Sequence, residues 1–236
     1  MAKVIIFTGA GVSAESGIST FRESDGLWNN HSVSEVCNFD SLEKNEKKTI
    51  NFYDERRAEL ENKTPNYAHK IIAGLKQKYK DDIAIITQNI DDLFEKAGLP
   101  QKDIIHLHGF LTEVRCRSSK CNLVFSINYN KQEWANGGRC PSCQNKFRPN
   151  VVFFKEAVPQ YGLFNRELID CELLVVIGTS GTVIPVGNLV GRIPNSILNN
   201  LEPNSAIDDR LFGKIIYSPA TKAIDEIKRD VELFLG

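Results

Sequence analysis

The chain has 236 residues, of which 42% are hydrophobic and 25% charged, with a formal net charge of -1. That balance fits one large globular domain, or one domain carrying a small insertion. It excludes a protein that holds nucleic acid or an anionic membrane by bulk charge, and no apolar run reaches the roughly 18 residues a membrane helix needs.

In chain order, the first predicted element is a buried strand, VIIFT (4–8). Lys3 before an apolar run imitates a signal peptide, but the run stops at Phe7, too early for a secretory segment, so a cytoplasmic protein is expected. Further runs are IAIIT (83–87), IIHL (104–107), VVFF (151–154), LLVVIG (173–178), SILNNL (196–201) and KIIY (214–217). Their length and β-branched content suit strands buried on both faces of a parallel sheet. Between them, TPNYAHKIIAGLKQKY (64–79) reads as a helix with Thr64 as N-cap and Pro65 in the first turn. ATKAIDEIKRDVELFL (220–235) has apolar residues at 224, 227, 231, 234 and 235 and is expected to close the domain. The alternation predicts a doubly wound α/β fold. Residues 29–80, with helices and no good strand, and residues 112–149 interrupt it.

The first strand runs into GAGVSAESG (9–17), where Gly9, Gly11 and Ala14 fit G-x-G-x-x-[G/A]. Glycines there permit a tight turn and the approach of a diphosphate, with free N–H groups expected at the next helix. The acid that usually binds a ribose some 20 residues on is missing, because STFRESDGLW (19–28) is not a strand end. Glu202, just after SILNNL, can take that role or be a solvated loop charge.

The cysteines are Cys37, Cys116, Cys121, Cys140, Cys143 and Cys171. Cys116-x4-Cys121 and Cys140-x2-Cys143 form two knuckles, a pattern of tetrahedral zinc. Four thiolates leave no open coordination position, so the predicted site is structural. Without a secretory signal, disulfides are disfavoured. In NFYDERRAEL (51–60), Tyr53 and Arg56 share a helix face. They form either a donor fork for a carboxylate or a cation resting on a ring at a wet surface. Arg57 points elsewhere and is expected in solvent.

GAGVSAESGISTFR (9–22), TQNIDDL (87–93), HLHG (106–109), the cysteine module, RPNVVFF (148–154), IGTSGTVIP (177–185) and NLEP (200–203) follow one another as in sirtuins. The chain resembles that family of NAD-dependent protein-lysine deacylases from residue 4 to about 220. Within it, the chain is similar to the bacterial subgroup that removes succinyl and malonyl groups as well as acetyl. The resemblance implies a single catalytic domain over 1–236. Its Rossmann-like part would be 1–28, 81–111 and 150–236, its helical module 29–80, and its inserted zinc-ribbon module 112–149.

The resemblance also implies roles. Gly9, Ala10, Gly11, Ser13, Glu15, Phe21, Arg22 and Trp28 would belong to the cofactor loop. Gln88, Asn89, Ile90 and Asp91 would complete a nicotinamide pocket. Gly178, Thr179 and Ser180 would cradle the adenosine side, Asn200, Leu201 and Glu202 its ribose, and Ala220 the adenine end. His108, with Asn89, would be catalytic: the acyl oxygen attacks the nicotinamide ribose, and His108 then activates a ribose hydroxyl. Lysine and an O-acyl-ADP-ribose would leave, with zinc a spectator.

Tyr53 and Arg56 would meet an acidic acyl group, and Val152, Phe153 and Glu156 would flank a peptide added as a strand. His106 is expected to face away, and His31 and His69 receive no role. Three departures stand out: Ser24 where the subgroup usually has a small residue such as alanine, Lys155 where the family has glycine, and a short segment from Pro185 to Ser196. Expected partners are acylated proteins and NAD, with a monomer and neither nucleic acid nor membrane. The rival readings are a mono-ADP-ribosyltransferase, a non-catalytic NAD sensor and, more distantly, a zinc-ribbon nucleic-acid binder.

Overall fold

In the computed structural model, residues 1–19, 27–28 and 31–236 are described, the side chains of Leu27, Trp28 and Asn136 apart. The chain begins with β1 (Val4–Thr8), a one-turn α1 (Gly11–Ala14) and a small hairpin of β2 (Leu27–Trp28) and β3 (His31–Ser32). Three helices follow: α2 (Val33–Val36), α3 (Glu46–Glu61) and α4 (Tyr67–Tyr79). Next come β4 (Ile83–Thr87), α5 (Leu93–Lys96), β5 (Ile104–His106), β6 (Gly109–Cys116), β7 (Val124–Ser126) and β8 (Phe147–Val151). The chain ends with α6 (Tyr161–Glu167), β9 (Leu173–Ile177), α7 (Gly187–Val190), β10 (Asn195–Asn200), β11 (Lys214–Tyr217) and α8 (Ala220–Leu235).

Six of the strands form one parallel sheet in the order β11-β10-β9-β1-β4-β5. Its central strands alternate between two cores, as the two-residue period of a strand requires. Val4, Ile6, Ile83, Ile85 and Val175 face α4 and α8, through Ile72 and Leu75 on one helix and Ile224, Ile227 and Val231 on the other. Ile5, Phe7, Ile86, Leu174, Val176 and Leu198 face the other way, toward Phe164 of α6 and Val186 and Val190 beside α7. This is the doubly wound α/β architecture expected from the sequence. The chain leaves β1 toward β4 on one side and returns to β9 on the other, so the strand order reverses between β1 and β9. Ligands of such sheets bind at the carboxyl ends of the strands flanking that point.

Helix α8 spans the predicted residues, and its spacing buries Ile224, Ile227 and Val231 in one stripe. Its first turn has no side-chain cap of its own. Glu15 supplies one from the loop after β1, accepting from Thr221 N at 3.0 Å and Thr221 Oγ1 at 2.6 Å. A carboxylate there satisfies orphan N–H groups and complements the helix dipole.

Several expectations are corrected. Helix α4 starts at Tyr67, because Asn66 rather than Thr64 is the N-cap; Asn66 Oδ1 accepts from the N–H groups of Ala68 and His69 at 3.0 and 3.3 Å. Pro65 therefore precedes the cap. Helix α4 also packs on the parallel sheet, with Ala68, Ile72, Ala73 and Leu75 in its core, whereas the sequence reading groups it with 29–80. VVFF is not a strand of that sheet. β8 ends at Val151 and pairs antiparallel with β6, giving a separate three-stranded sheet β7-β6-β8. Pro149 is tolerated in β8 because β8 is an edge strand.

Arg57 is not solvated but fully buried. Its Nε donates to Leu111 O at 2.8 Å and its Nη1 to Asn130 O at 3.2 Å, and it pairs with Asp54 one turn back. Asp54 also accepts from Gln132 N at 2.9 Å. Lys96 caps the far end of α3, donating to Leu60 O at 2.7 Å and Lys63 O at 3.1 Å. Near the other end, Glu46 pairs with Arg117 and Lys146 of the cysteine module. Helix α3 is thus fastened at three levels, to the cysteine module near its start, to β6 along its middle and to α5 at its far end. Among the described residues, no helix is long and apolar enough to cross a membrane.

Candidate active site

The carboxyl ends of β1, β4 and β9 open into one continuous cleft of about 1370 Å³. Its walls come from the loop Gly9–Ala14, from Gln88–Asp91, from His108, from Gly178–Ser180 and from Asn200–Asn204. A second rim is formed by 151–158, and Cys37, Tyr53 and Arg56 lie at its far end.

The glycines bring two loops together. A Cβ on Gly9 would lie 2.7 Å from Gly178 O, and one on Gly178 would lie 2.5 Å from Val12 N. Gly178 has φ +65, which also favours glycine. The free N–H groups expected here are committed internally. Gly9 N donates to Ile177 O, Gly11 N to Gly178 O, Val12 N to Gly9 O and Ser13 N to Ala10 O, at 2.8–3.2 Å. The loop is braced before any ligand arrives.

Polar side chains cross-link the strand ends. Asn89 Nδ2 donates to Gly9 O at 3.2 Å and Ser13 Oγ at 3.0 Å, and Ser13 Oγ donates to Asp91 Oδ2 at 2.9 Å. Burial pushes the Asp91 carboxyl up to about 6, partly offset by the Ser13 hydrogen bond. Gln88 Nε2 donates to Thr179 Oγ1 at 2.9 Å. The Asn200 amide brackets Thr179, accepting from its N–H at 3.1 Å and donating to its carbonyl at 3.0 Å. Ser180, Leu201 and Glu202 are exposed on the same wall, and Ile90 and Ala220 complete it.

His108 is half-buried, with Nδ1 2.9 Å from Gln88 O. A carbonyl only accepts, so Nδ1 carries the proton and Nε2 keeps the lone pair. Burial lowers the pKa of the ring below the ordinary imidazole value, against the pull of that carbonyl. His106 does face away, buried between Asn89 O at 3.0 Å and Glu95 Oε1 at 2.9 Å. His69, without a predicted role, is fully buried with Nε2 3.4 Å from Ser13 Oγ.

Tyr53 is buried, stacked on Phe153 at 5.8 Å between ring centroids, and its hydroxyl donates to Cys37 Sγ at 3.3 Å. Arg56 lies over Phe52, 5.1 Å from the ring centroid, and pairs with Glu59. Cys37 and Glu59 are wall residues that sequence reasoning missed. Glu59 was visible as the i+3 neighbour of Arg56, whereas Cys37 meets Tyr53 only through the tertiary fold. Val152 lines the rim, with its N–H donating to His108 O at 2.8 Å. Glu156, predicted to meet substrate, has its carboxylate committed to Arg148 at 2.7 and 2.6 Å and to Phe153 N at 2.8 Å. It shapes the rim loop. Phe21, Arg22 and Ser24 lie outside the described residues, as does the side chain of Trp28.

The Sir2 family matches residues 9–185. The chain belongs to the Sir2 family. A Sir2 relative from Campylobacter jejuni subsp. jejuni serotype O:2, an NAD-dependent protein deacylase, is 45% identical over 236 residues, covering 100% of this chain and 98% of its own. Among solved Sir2 structures, a Sir2 homologue–NAD complex shares 34% identity with a TM-score of 0.83, covering 99% of this chain and 90% of that one. Sir2Tm bound to a propionylated peptide shares 25% identity with a TM-score of 0.77, covering 97% and 93%.

The residues of this Sir2 chain fit both expected groups. The four sulfurs of Cys116, Cys121, Cys140 and Cys143 lie within 4.8 Å of one another, with Cys116–Cys143 at 3.4 Å and Cys121–Cys140 at 3.8 Å. Tetrahedral zinc with bonds of ~2.3 Å separates its sulfurs by about 3.8 Å. The long cleft, with amide, hydroxyl and carboxylate groups along its length, fits an extended polar ligand such as NAD.

Proposed function

We propose that this Sir2 protein removes acyl groups from protein lysines at the expense of NAD, releasing nicotinamide. The observation that carries the reading is the forced tautomer of His108, where the cofactor loop, Gln88–Asp91 and the substrate rim converge. NAD, when bound, would supply the ribose carbon that the acyl oxygen attacks as nicotinamide leaves and the ribose hydroxyl that takes the acyl group.

The chain's own residues do the rest. Neutral His108 presents Nε2 as a base, and the Gln88 carbonyl fixes its orientation and steadies the charge it gains on taking a proton. Asn89, Ser13 and Asp91 hold the strand-end pocket in one arrangement. Gln88 and Asn200 position Thr179 on the adenosine side. Zinc in the cysteine cluster would be structural, tying β6 to the segment before β8. Thiols gathered as ligands rather than paired argue for a reducing compartment, the cytoplasm.

The far end of the cleft supports acidic acyl groups as further substrates. Tyr53 and Arg56 on α3 bring a hydroxyl and a guanidinium to the cleft, held at present by Cys37 and Glu59, and a succinyl or malonyl carboxylate would draw both donors to itself where an acetyl group would not. Charged hydrogen bonds of roughly 1.5–3 kcal/mol correspond to a ten- to hundredfold preference.

The test is NAD-dependent turnover of one peptide carrying acetyl-lysine or succinyl-lysine, with nicotinamide release measured in parallel. Nicotinamide release that requires the acylated lysine, together with deacylation that falls about 10²–10⁴-fold in His108→Gln, supports the deacylase. Release indifferent to acylation would favour a transferase, and none would favour a sensor.

A further inference from the structure

The guanidinium assigned to an acyl carboxylate is already engaged inside the chain. Arg56 Nε donates to Glu59 Oε2 at 2.9 Å, and Nη2 donates to Glu59 Oε1 at 2.6 Å. Two parallel bonds from one edge of the fork are the geometry by which arginine recognises a carboxylate. Glu59 sits at i+3 from Arg56, on the same helix face, and both residues line the cleft.

The partners differ in how firmly they are held. The Arg56 side chain is 12% exposed and rests over Phe52, whereas the Glu59 side chain is 54% exposed. The cation is anchored and its carboxylate partner is wet. Such a pair contributes about 0–1 kcal/mol, so Glu59 can rotate into water at small cost.

We propose that Glu59 is a built-in competitor for Arg56. It occupies the Nε–Nη2 edge of the guanidinium and sets a negative charge beside the cation that an acidic acyl group would meet, and so sets how strongly this enzyme prefers acidic over neutral acyl groups. The inference rests on the acyl-pocket role of Tyr53 and Arg56. An acetyl group makes no demand on the fork, so Glu59 costs it nothing. A succinyl or malonyl carboxylate must either displace Glu59 or share the cation with it, and sharing brings two like charges together. Either route weakens binding of the acidic substrate, and the effect appears in KM.

The experiment compares kcat/KM for one peptide, acetylated or succinylated, at saturating NAD. The proteins are wild type, Glu59→Gln, Arg56→Met and the double variant. Glu59→Gln is expected to raise the succinyl-to-acetyl ratio about fivefold, equivalent to ~1 kcal/mol, through a lower KM for the succinylated peptide. In the Arg56→Met background the same change is expected to leave the ratio where it was. If Glu59→Gln leaves the ratio unchanged or lowers it while Arg56→Met still removes succinyl turnover, the competitor role is overturned and the pocket assignment survives. If Arg56→Met leaves succinyl turnover intact, the pocket assignment itself falls, and the inference with it.

Discussion

His69 makes an acid-sensitive contribution to stability that can be isolated. It is fully buried on α4 with its ring 4.9 Å from that of Phe94. Its Nδ1 lies 3.0 Å from Asn66 Oδ1, an oxygen that already accepts two backbone N–H groups, so the ring donates there. Burial pushes its pKa down to about 4 from the ordinary 6.5. The unfolded chain takes up a proton near pH 6.5 and the folded one does not. The contribution is therefore complete above pH 6.5 and is lost as pH falls toward 4. Between pH 7.5 and 5 the loss is about 2 kcal/mol. Asp91 works in the opposite direction, since its folded value of about 6 exceeds the ordinary 3.8 and favours folding by about 1.4 kcal/mol over the same interval. A wild-type acid curve alone would hide both. The assay is urea unfolding of wild type and His69→Gln at pH 7.5, 6 and 5. The advantage of the wild type is expected to shrink by about 2 kcal/mol on going to pH 5. A difference that stays constant with pH would refute the claim that burial keeps His69 neutral.

Four other outcomes are expected. Arg57→Met should cost about 3 kcal/mol in chemical unfolding, because it leaves the largely buried Asp54 carboxylate without its cation and strands two carbonyls. Lys155 has φ +73 and, among the described residues, an exposed ion pair with Asp40, so Lys155→Gly should relieve up to ~1 kcal/mol and raise Tm by about 2–4 °C. Metal analysis should find a single tightly held ion per chain, lost in Cys140→Ser, and cobalt loading should give a tetrathiolate spectrum. Because burial lowers the His108 pKa, the acid limb of kcat/KM is expected below pH 6.5, and a limb above that value would contradict the buried neutral base.

What the sequence disclosed followed physical range. The β-branched runs of β1, β4 and β9 are buried on both faces, so composition alone marked them. Helix α8 was legible because one apolar stripe meets one core. Strand β6 was missed because Thr112, Glu113 and Arg115 break its apolar run, and only pairing with β7 and β8 reveals it. VVFF misled because hydrophobic runs carry no information about which sheet they join. At the site, the cysteine knuckles were readable from local spacing, whereas the role expected of His108 came only from the family resemblance. The contacts of Ser13 with His69 and of Tyr53 with Cys37 were not readable, since they join segments that only the fold brings together. Arg57 was misjudged because a charge on a helix reads as solvated until its buried acceptors, Leu111 O and Asn130 O, are known.

His108 immediately precedes β6, and the same strand ends on Cys116. One short segment therefore has the imidazole proposed as the base just before its start and a thiol of the cysteine cluster at its end, at most ~26 Å apart at the rise of a strand. Electrophiles that attack the cysteine cluster would loosen the strand that anchors the imidazole and silence turnover without entering the cleft. In a compound screen they would register as inhibitors, with inhibition that builds over time, resists competition by NAD or peptide, and is reversed by thiol together with added metal. Such a counter-screen separates cleft ligands from metal ejectors before any chemistry is invested in the hits.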